Sequence, residues 1–316
     1  TWDNTVNFAR TIHKDHSIDV MLGTSTYEAQ WEHSYISVKD LPFNSKWHNI
    51  KSAGTEVARE SWEGRDRLVS FMGRFNYSYK DKYLFTVTGR ADGSSKLAQG
   101  HKWGFFPSAA IAWRVTEEGF LKDNSVINNL KLRLSYGESG NNAVDNYSTI
   151  LGTSSTQYDF DGTNANGQYL NRIKNDKLGW EKSKEINLGL DFALWGGRLA
   201  GNVELYNKKT YDLILSQKIP QTNGFDNVGA VNVGATRNKG LEIGLNTVNI
   251  QTKDFSWTTN LSFATNKNEI TEIFGDSKDY PDQKLFIGQP VLVHYDYAWD
   301  GIWQTSEKDE ASKYGR

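Results

Sequence analysis

Leu68-Val69-Ser70-Phe71-Met72-Gly73-Arg74-Phe75-Asn76-Tyr77-Ser78-Tyr79, the turn Lys80-Asp81-Lys82 and the return Tyr83-Leu84-Phe85-Thr86-Val87-Thr88-Gly89-Arg90-Ala91-Asp92 decide the fold of this chain. Side chains alternate faces along a β-strand, so the odd positions Val69, Phe71, Phe75, Tyr77 and Tyr79 share one face. Ser70, Arg74, Asn76 and Ser78 share the other. On the return, Tyr83, Phe85, Val87 and Ala91 alternate with Thr86, Thr88, Arg90 and Asp92. The apolar face ends in tyrosines beside a short turn, and the polar face holds arginine and asparagine. That arrangement predicts a strand pair with lipid on one side and water on the other.

The same period recurs along the chain. Trp2, Val6, Phe8 and Ile12 alternate with polar residues before the turn His13–His16, and a strand then runs from Ser17 toward Gln30. Trp103, Phe105, Ala109, Ile111, Trp113 and Val115 form one face with Ser108 and Arg114 behind them. Leu130, Leu132, Leu134 and Tyr136 alternate with Lys131, Arg133 and Ser135, and Ile186, Leu188, Leu190 and Phe192 with Asn187 and Asp191. Leu199, Val203 and Leu205 follow the turn Gly196–Arg198; Leu241, Ile243 and Leu245 precede the turn Gln251–Asp254, and Phe255, Trp257, Leu261 and Phe263 follow it. Roughly ten strands are expected, several longer than the usual five or six residues. Short connections (13–16, 80–82, 117–128, 196–198, 251–254) alternate with long polar ones (31–67, 93–102, 138–179, 214–236, 269–291). In an up-and-down sheet every second connection lies at the same end, and short turns at one end with long loops at the other is the pattern of outer-membrane barrels. The rival is a soluble secreted sheet whose apolar wall packs on a second sheet, as in a β-sandwich. Tyr79, Tyr83, Trp195, Phe255 and Trp257 beside the short turns fit an interfacial aromatic girdle.

Bulk properties narrow the function. The net charge of −2 gives no basic surface for nucleic acid. Mean hydropathy is −0.64, and no run reaches the ~20 apolar residues a membrane helix needs, which leaves a barrel open. The chain has 0 cysteines, which excludes disulfides, thiolate metal sites and cysteine nucleophiles. No nucleophile elbow or phosphate-binding motif occurs, and no enzyme, cofactor or metal site is expected. His13 and His16 occupy a tight turn and read as solvated; Asp159, Asp161, Asp276 and Asp279 lie in long loops without calcium-loop spacing.

Several segments resemble the SusC/RagA family of TonB-linked outer-membrane transporters of Bacteroidetes. They include Gly73–Leu84, Arg90-Ala91-Asp92-Gly93-Ser94-Ser95, Trp103–Ser108, Asn129–Arg133 with Ser135-Tyr136-Gly137, and Trp180–Ser183. Asn238–Glu242, Asn266–Glu269 and Asp300–Thr305 complete the set, in order over nearly the whole chain. The resemblance implies an all-β, antiparallel, up-and-down transmembrane barrel of about 22 strands, of which residues 1–316 supply about half. It also implies an N-terminal plug through which TonB acts, and a SusD-like surface lipoprotein lid. Neither plug, signal peptide, TonB box nor final strands are read here, so the chain is expected to be an excerpt of a longer outer-membrane protein, with long loops extracellular and short turns periplasmic. The implied function is import of a nutrient, foremost a glycan, with a peptide or siderophore-like ligand as alternatives and a non-transporting adhesin as the rival class. Arg74, Asn76, Arg90, Arg114, Lys131 and Arg133 are expected on the lumen side, a cationic set suited to anionic groups or to plug carboxylates. Trp47, Trp62, Tyr158, Phe160 and Tyr169, among polar loop residues, are the candidate ligand contacts, suited to sugar or peptide alike.

Overall fold

The computed structural model describes residues 1–43, 48–122, 124–218, 222, 227–299 and 301–313. Its main body is one antiparallel sheet of 10 strands in the order β1-β2-β3-β4-β5-β6-β9-β10-β13-β14. These are β1 Trp2–Ile12, β2 His16–Lys39, β3 Thr55–Tyr79, β4 Tyr83–Ser94, β5 Trp103–Arg114, β6 Ile127–Asn141, β9 Glu181–Leu194, β10 Leu199–Tyr211, β13 Ala235–Gln251 and β14 Ser256–Glu272. Two hairpins, β7 Gly152–Phe160 with β8 Thr163–Arg172 and β11 Ile214–Lys218 with β12 Asn227–Asn232, lie outside the wall, between β6 and β9 and between β10 and β13. Each wall strand pairs with its neighbours in the wall, so the sheet is the expected meander.

Three segments expected as loops are largely strand: 31–67, 138–179 and 214–236, the last of which carries the β11–β12 hairpin. β2 and β3 stay paired from His16↔Tyr79 up to Lys39↔Thr55, with one register shift at Ser37/Val38. Most of 31–67 is therefore a continuation of the wall. The connection 138–179 carries the β7–β8 hairpin, whose turn places Asp161 at φ 52 and Gly162 at φ 80. Left-handed conformations at both turn positions suit an Asp-Gly pair. Pro107, which lacks an N–H donor, sits opposite Gly89 of β4 without a bulge, and the ladder from β5 to β6 begins one residue later, at Ser108.

The register keeps one face apolar from strand to strand. Tyr79 lies opposite Tyr83, Tyr83 opposite Trp113, Trp113 opposite Leu132, and Leu132 opposite Leu190. Leu190 faces Val203, Val203 faces Ile243, and Ile243 faces Phe263. No second sheet covers this face among the described residues: Phe71 is 54% exposed, Leu261 58% and Phe263 53%. A water-soluble protein does not leave so wide an apolar surface open. On the opposite face Ser70 is 1% exposed and Asp92 8%. Apolar outside and polar inside is the barrel arrangement, and the sandwich reading lacks its second layer. On β3 and β5 the apolar stretch runs for roughly 11 residues from the short turn, about 25–30 Å at ordinary rise and tilt, which matches a bilayer's hydrocarbon band.

At the short-turn end the aromatic girdle is tied together. Glu118, in the β5–β6 connection, accepts hydrogen bonds from Tyr83 Oη at 2.6 Å, Lys82 Nζ at 3.1 Å and Trp113 Nε1 at 3.2 Å. One carboxylate thus satisfies the polar tips of a Tyr and a Trp and links two neighbouring turns. These donors, Tyr83 first, then Lys82 and Trp113, hold the Glu118 carboxyl below its ordinary value. A depressed carboxyl stabilises the fold above its unfolded pKa, and that contribution disappears as pH falls through the folded value. The thermal stability of the full-length protein is expected to drop as pH falls below the ordinary carboxylate range, with a shallower slope in Glu118→Gln; a scan of melting temperature against pH checks it, and identical slopes would refute the assignment.

Candidate functional site

The polar face is a network that spans neighbouring strands. Asn76 Nδ2 donates to Asp19 Oδ1 at 2.9 Å, and Thr86 Oγ1 donates to Asn76 Oδ1 at 2.9 Å, joining β2, β3 and β4. Arg90 Nε reaches both oxygens of Asp92 at 2.8 and 2.9 Å, and its Nη2 donates to Ser70 Oγ at 2.9 Å. Arg133 makes a two-pronged contact with Asp191 at 2.8 and 2.9 Å and also reaches Glu204 Oε1 at 2.9 Å. Asn187 Nδ2 occupies the second oxygen of Glu204 at 3.0 Å.

Arg133 is on β6 and Glu204 on β10, with β9 between them. The register puts Gly189 of β9 opposite both. A Cβ built at Gly189 would stand 2.8 Å from the Arg133 guanidinium carbon. The glycine is therefore the opening through which the arginine crosses an intervening strand. Tyr206 repeats the device: it lies over Gly240 and donates to Asn266 Oδ1 of β14 at 3.3 Å.

Of the six residues expected on the lumen side, all project from the polar face, but they do not make a cationic surface. Arg90 and Arg133 are matched by carboxylates of the same wall. Arg114 sits at the short-turn end, paired with Glu117 at 3.0 Å and donating to the Asp81 carbonyl at 3.2 Å. Asn76 is taken up by Asp19 and Thr86. Arg74 and Lys131 have no ion-pair partner among the described residues, so the available positive charge is much smaller than the arginine count suggests.

At the long-loop end the connections fold back onto the polar face and build the main buried cluster: Leu97, Ala98, Phe106, Val144, Leu178 and Trp180. Phe106 meets Trp180 edge-on at 5.4 Å, and Trp180 Nε1 donates to the Lys102 carbonyl at 2.9 Å. Beside this cluster lies a cleft of about 440 Å³ lined by Trp31, Trp62, Gly64, Lys96, Asn146 and Tyr147. Trp31 lies flat over Gly64, where a Cβ would strike its ring. His33 stacks on Trp62 at 5.3 Å and on Tyr35 at 6.5 Å. Both amide atoms of Asn146 are buried without a hydrogen-bond partner among the described residues, a costly state.

The expected ligand contacts are therefore dispersed. Trp62 lines the cleft, whereas Tyr158, Phe160 and Tyr169 belong to the β7–β8 hairpin and are not among its lining residues. Trp47 lies outside the described residues. Trp31, His33, Tyr35 and Asn146 were not singled out from sequence; the alternation Trp31, His33, Tyr35 was the available signal. The loop carboxylates serve turns instead: Asp159 accepts from the Gly162 N–H at 2.8 Å and Asp279 from the Ile287 N–H at 2.7 Å. His16 Nδ1 is 2.7 Å from Tyr77 Oη.

Comparison with known proteins agrees with this architecture. The family profile described as TonB dependent receptor-like, beta-barrel matches residues 1–311. TonB-dependent receptor P26 of Formosa agariphila is 34% identical over 98% of this chain and 32% of its own length. TonB-dependent receptor SusC of Bacteroides thetaiotaomicron is 40% identical over 68% of this chain and 22% of its own. The RagAB peptide transporter structure superposes with a TM-score of 0.81 at 25% identity, over 91% of this chain and 32% of that one. The chain thus spans about a third or less of the length of these relatives.

Proposed function

We propose that this chain, which belongs to the TonB-dependent receptor-like β-barrel family, forms part of the wall and the loop-side mouth of a SusC-type importer in the bacterial outer membrane. The observation that carries the reading is the exposed apolar face that continues across the wall while the polar face is closed by side-chain pairs. The long loops are extracellular and the short turns periplasmic. A plug engaged by TonB gates the lumen behind the polar face, and a SusD-like lipoprotein lid covers the mouth.

The cargo is an oligosaccharide captured at the mouth. Trp31 and Trp62 offer ring faces to a sugar's apolar side, and Lys96 and Asn146 give the same cleft a polar side. The same rings suit a peptide's apolar side chains, and the structural likeness to a peptide transporter makes it the second reading. A siderophore-like anion is disfavoured because Arg90 and Arg133 are already neutralised. Uptake of labelled oligosaccharides and of labelled oligopeptides by cells carrying the full-length protein tests this. Trp62→Ala is expected to weaken capture of the oligosaccharide about tenfold, about 1.4 kcal/mol. Undiminished uptake of every probe in Trp62→Ala, Trp31→Ala and Asn146→Ala would remove the cleft from the transport path.

A further inference from the structure

Above the apolar band, toward the long loops, the outward face of four adjacent strands turns basic. On β9, Lys184 follows Leu188 and Ile186 on the same face; on β10, Lys209 follows Leu205 and Asn207. On β13, Lys239 and Arg237 follow Leu241, and on β14, Lys267 follows Phe263 and Thr265. The register sets like charges directly abreast: Lys184 opposite Lys209, Lys209 opposite Arg237, and Lys239 opposite Lys267. Facing like charges on neighbouring strands are destabilising.

The wall compensates the row only at its ends. Lys184, Lys209 and Lys239 form no ion pair among the described residues, and all three are exposed. Arg237 Nε is satisfied by a neutral partner, Asn207 Oδ1 at 3.0 Å. The row ends in acids on both sides: Glu138 lies opposite Lys184 and also accepts from Tyr136 Oη, and Glu269 lies opposite Arg237 and pairs with Lys267 at 3.6 Å, so it is Lys209 at the centre that has a cation on either side. Lys184 lies over the Tyr211 ring at 5.3 Å. On β2 and β3 the arrangement differs, because Glu28 bridges the outward-facing Arg65 and Arg67.

We infer that Lys184, Lys209, Arg237 and Lys239 form a binding site for the phosphate groups of an anionic membrane lipid at the outer edge of the apolar band. Two features favour a lipid headgroup over a soluble anion: the cations stand on the lipid-facing side, and they begin where the apolar band ends. Cross-strand neighbours about 5 Å apart suit a phosphate group. A bound phosphate also removes the repulsion that the register builds in. This inference rests on the outer-membrane reading above and on the loop end facing the outer leaflet.

The test uses the full-length protein purified in a neutral detergent, with diphosphoryl and monophosphoryl lipid A as probes and native mass spectrometry as the readout. Lys184→Gln/Lys209→Gln/Arg237→Gln/Lys239→Gln is expected to lose at least tenfold in retention of diphosphoryl lipid A. Arg65→Gln/Arg67→Gln, whose cations Glu28 already serves, is expected to retain it. As a second readout, the fourfold variant is expected to melt higher than the parent in lipid-free detergent, since facing charges have been removed, and to gain less on adding the lipid. Equal retention by parent and variant would overturn the inference, as would a variant that keeps the lipid but no longer co-purifies with the surface lipoprotein. A full-length protein soluble without detergent would overturn the membrane reading instead, and this inference with it.

Discussion

Phe75→Arg is expected to destabilise the folded barrel by about 2–4 kcal/mol, while the neighbouring Arg74→Gln changes stability little. Phe75 is on the exposed apolar face, four positions from Tyr79 at the turn, which places it near mid-depth of the apolar band. A guanidinium there faces hydrocarbon with no partner, and its desolvation is the cost. Arg74 projects from the polar face, is exposed, and holds no ion pair among the described residues, so its removal leaves no orphaned carboxylate. Reversible denaturant unfolding of the full-length protein into lipid vesicles measures both. Equal tolerance at the two positions would mean that the lipid and water faces have been exchanged or that neither faces lipid. The comparison is sharp because the two residues are adjacent in sequence and differ only in which side of the sheet they occupy.

That contrast also marks what could be read from sequence. Wherever one face of a strand meets lipid, period-2 alternation names both faces without a partner strand, and Val69–Tyr79 and Ile186–Leu194 are of this kind. Above the band the outward face of β2 and β3 turns polar or charged (Glu28, Gln30, Glu32 and Ser34; Arg59, Ser61 and Glu63) and the inward face keeps only spaced aromatics such as Trp31 and Trp62, so the hydrophobic signal weakens although the hydrogen-bonded ladder continues. The polar β7–β8 hairpin was hidden for the same reason, despite its Asp161-Gly162 turn. The polar face failed in another way. Its arginines were legible as a set, but their neutralisation was not. Asp191 and Glu204 meet Arg133 only because β6, β9 and β10 are neighbours in a particular register, and that information is not local. The cationic collar was missed likewise: Lys184, Lys209 and Arg237 are scattered in sequence and become a row only when the strands align.

Gly189 provides the strongest test of the cross-strand register, because the expected sign is opposite to the usual one. A glycine inside a strand ordinarily costs stability, so replacing it with a larger residue gains about 0.5–1 kcal/mol. Here Gly189→Leu is expected to lose about 1–3 kcal/mol, since the new side chain occupies the path of the Arg133 guanidinium. Displacing that group separates it from Glu204, while the carboxylates of Glu204 and Asp191 stay on the polar face with reduced compensation. A double-mutant cycle isolates the mechanism. In an Arg133→Gln background nothing long remains to displace, so most of the Gly189→Leu penalty should vanish, giving a coupling of about 1 kcal/mol or more. Additivity within about 0.5 kcal/mol would show that the glycine matters for some reason other than the passage it leaves. Because the Arg133–Gly189–Glu204 alignment exists only if β9 lies between β6 and β10 in the stated register, a large coupling would verify the order of three wall strands from a stability measurement alone.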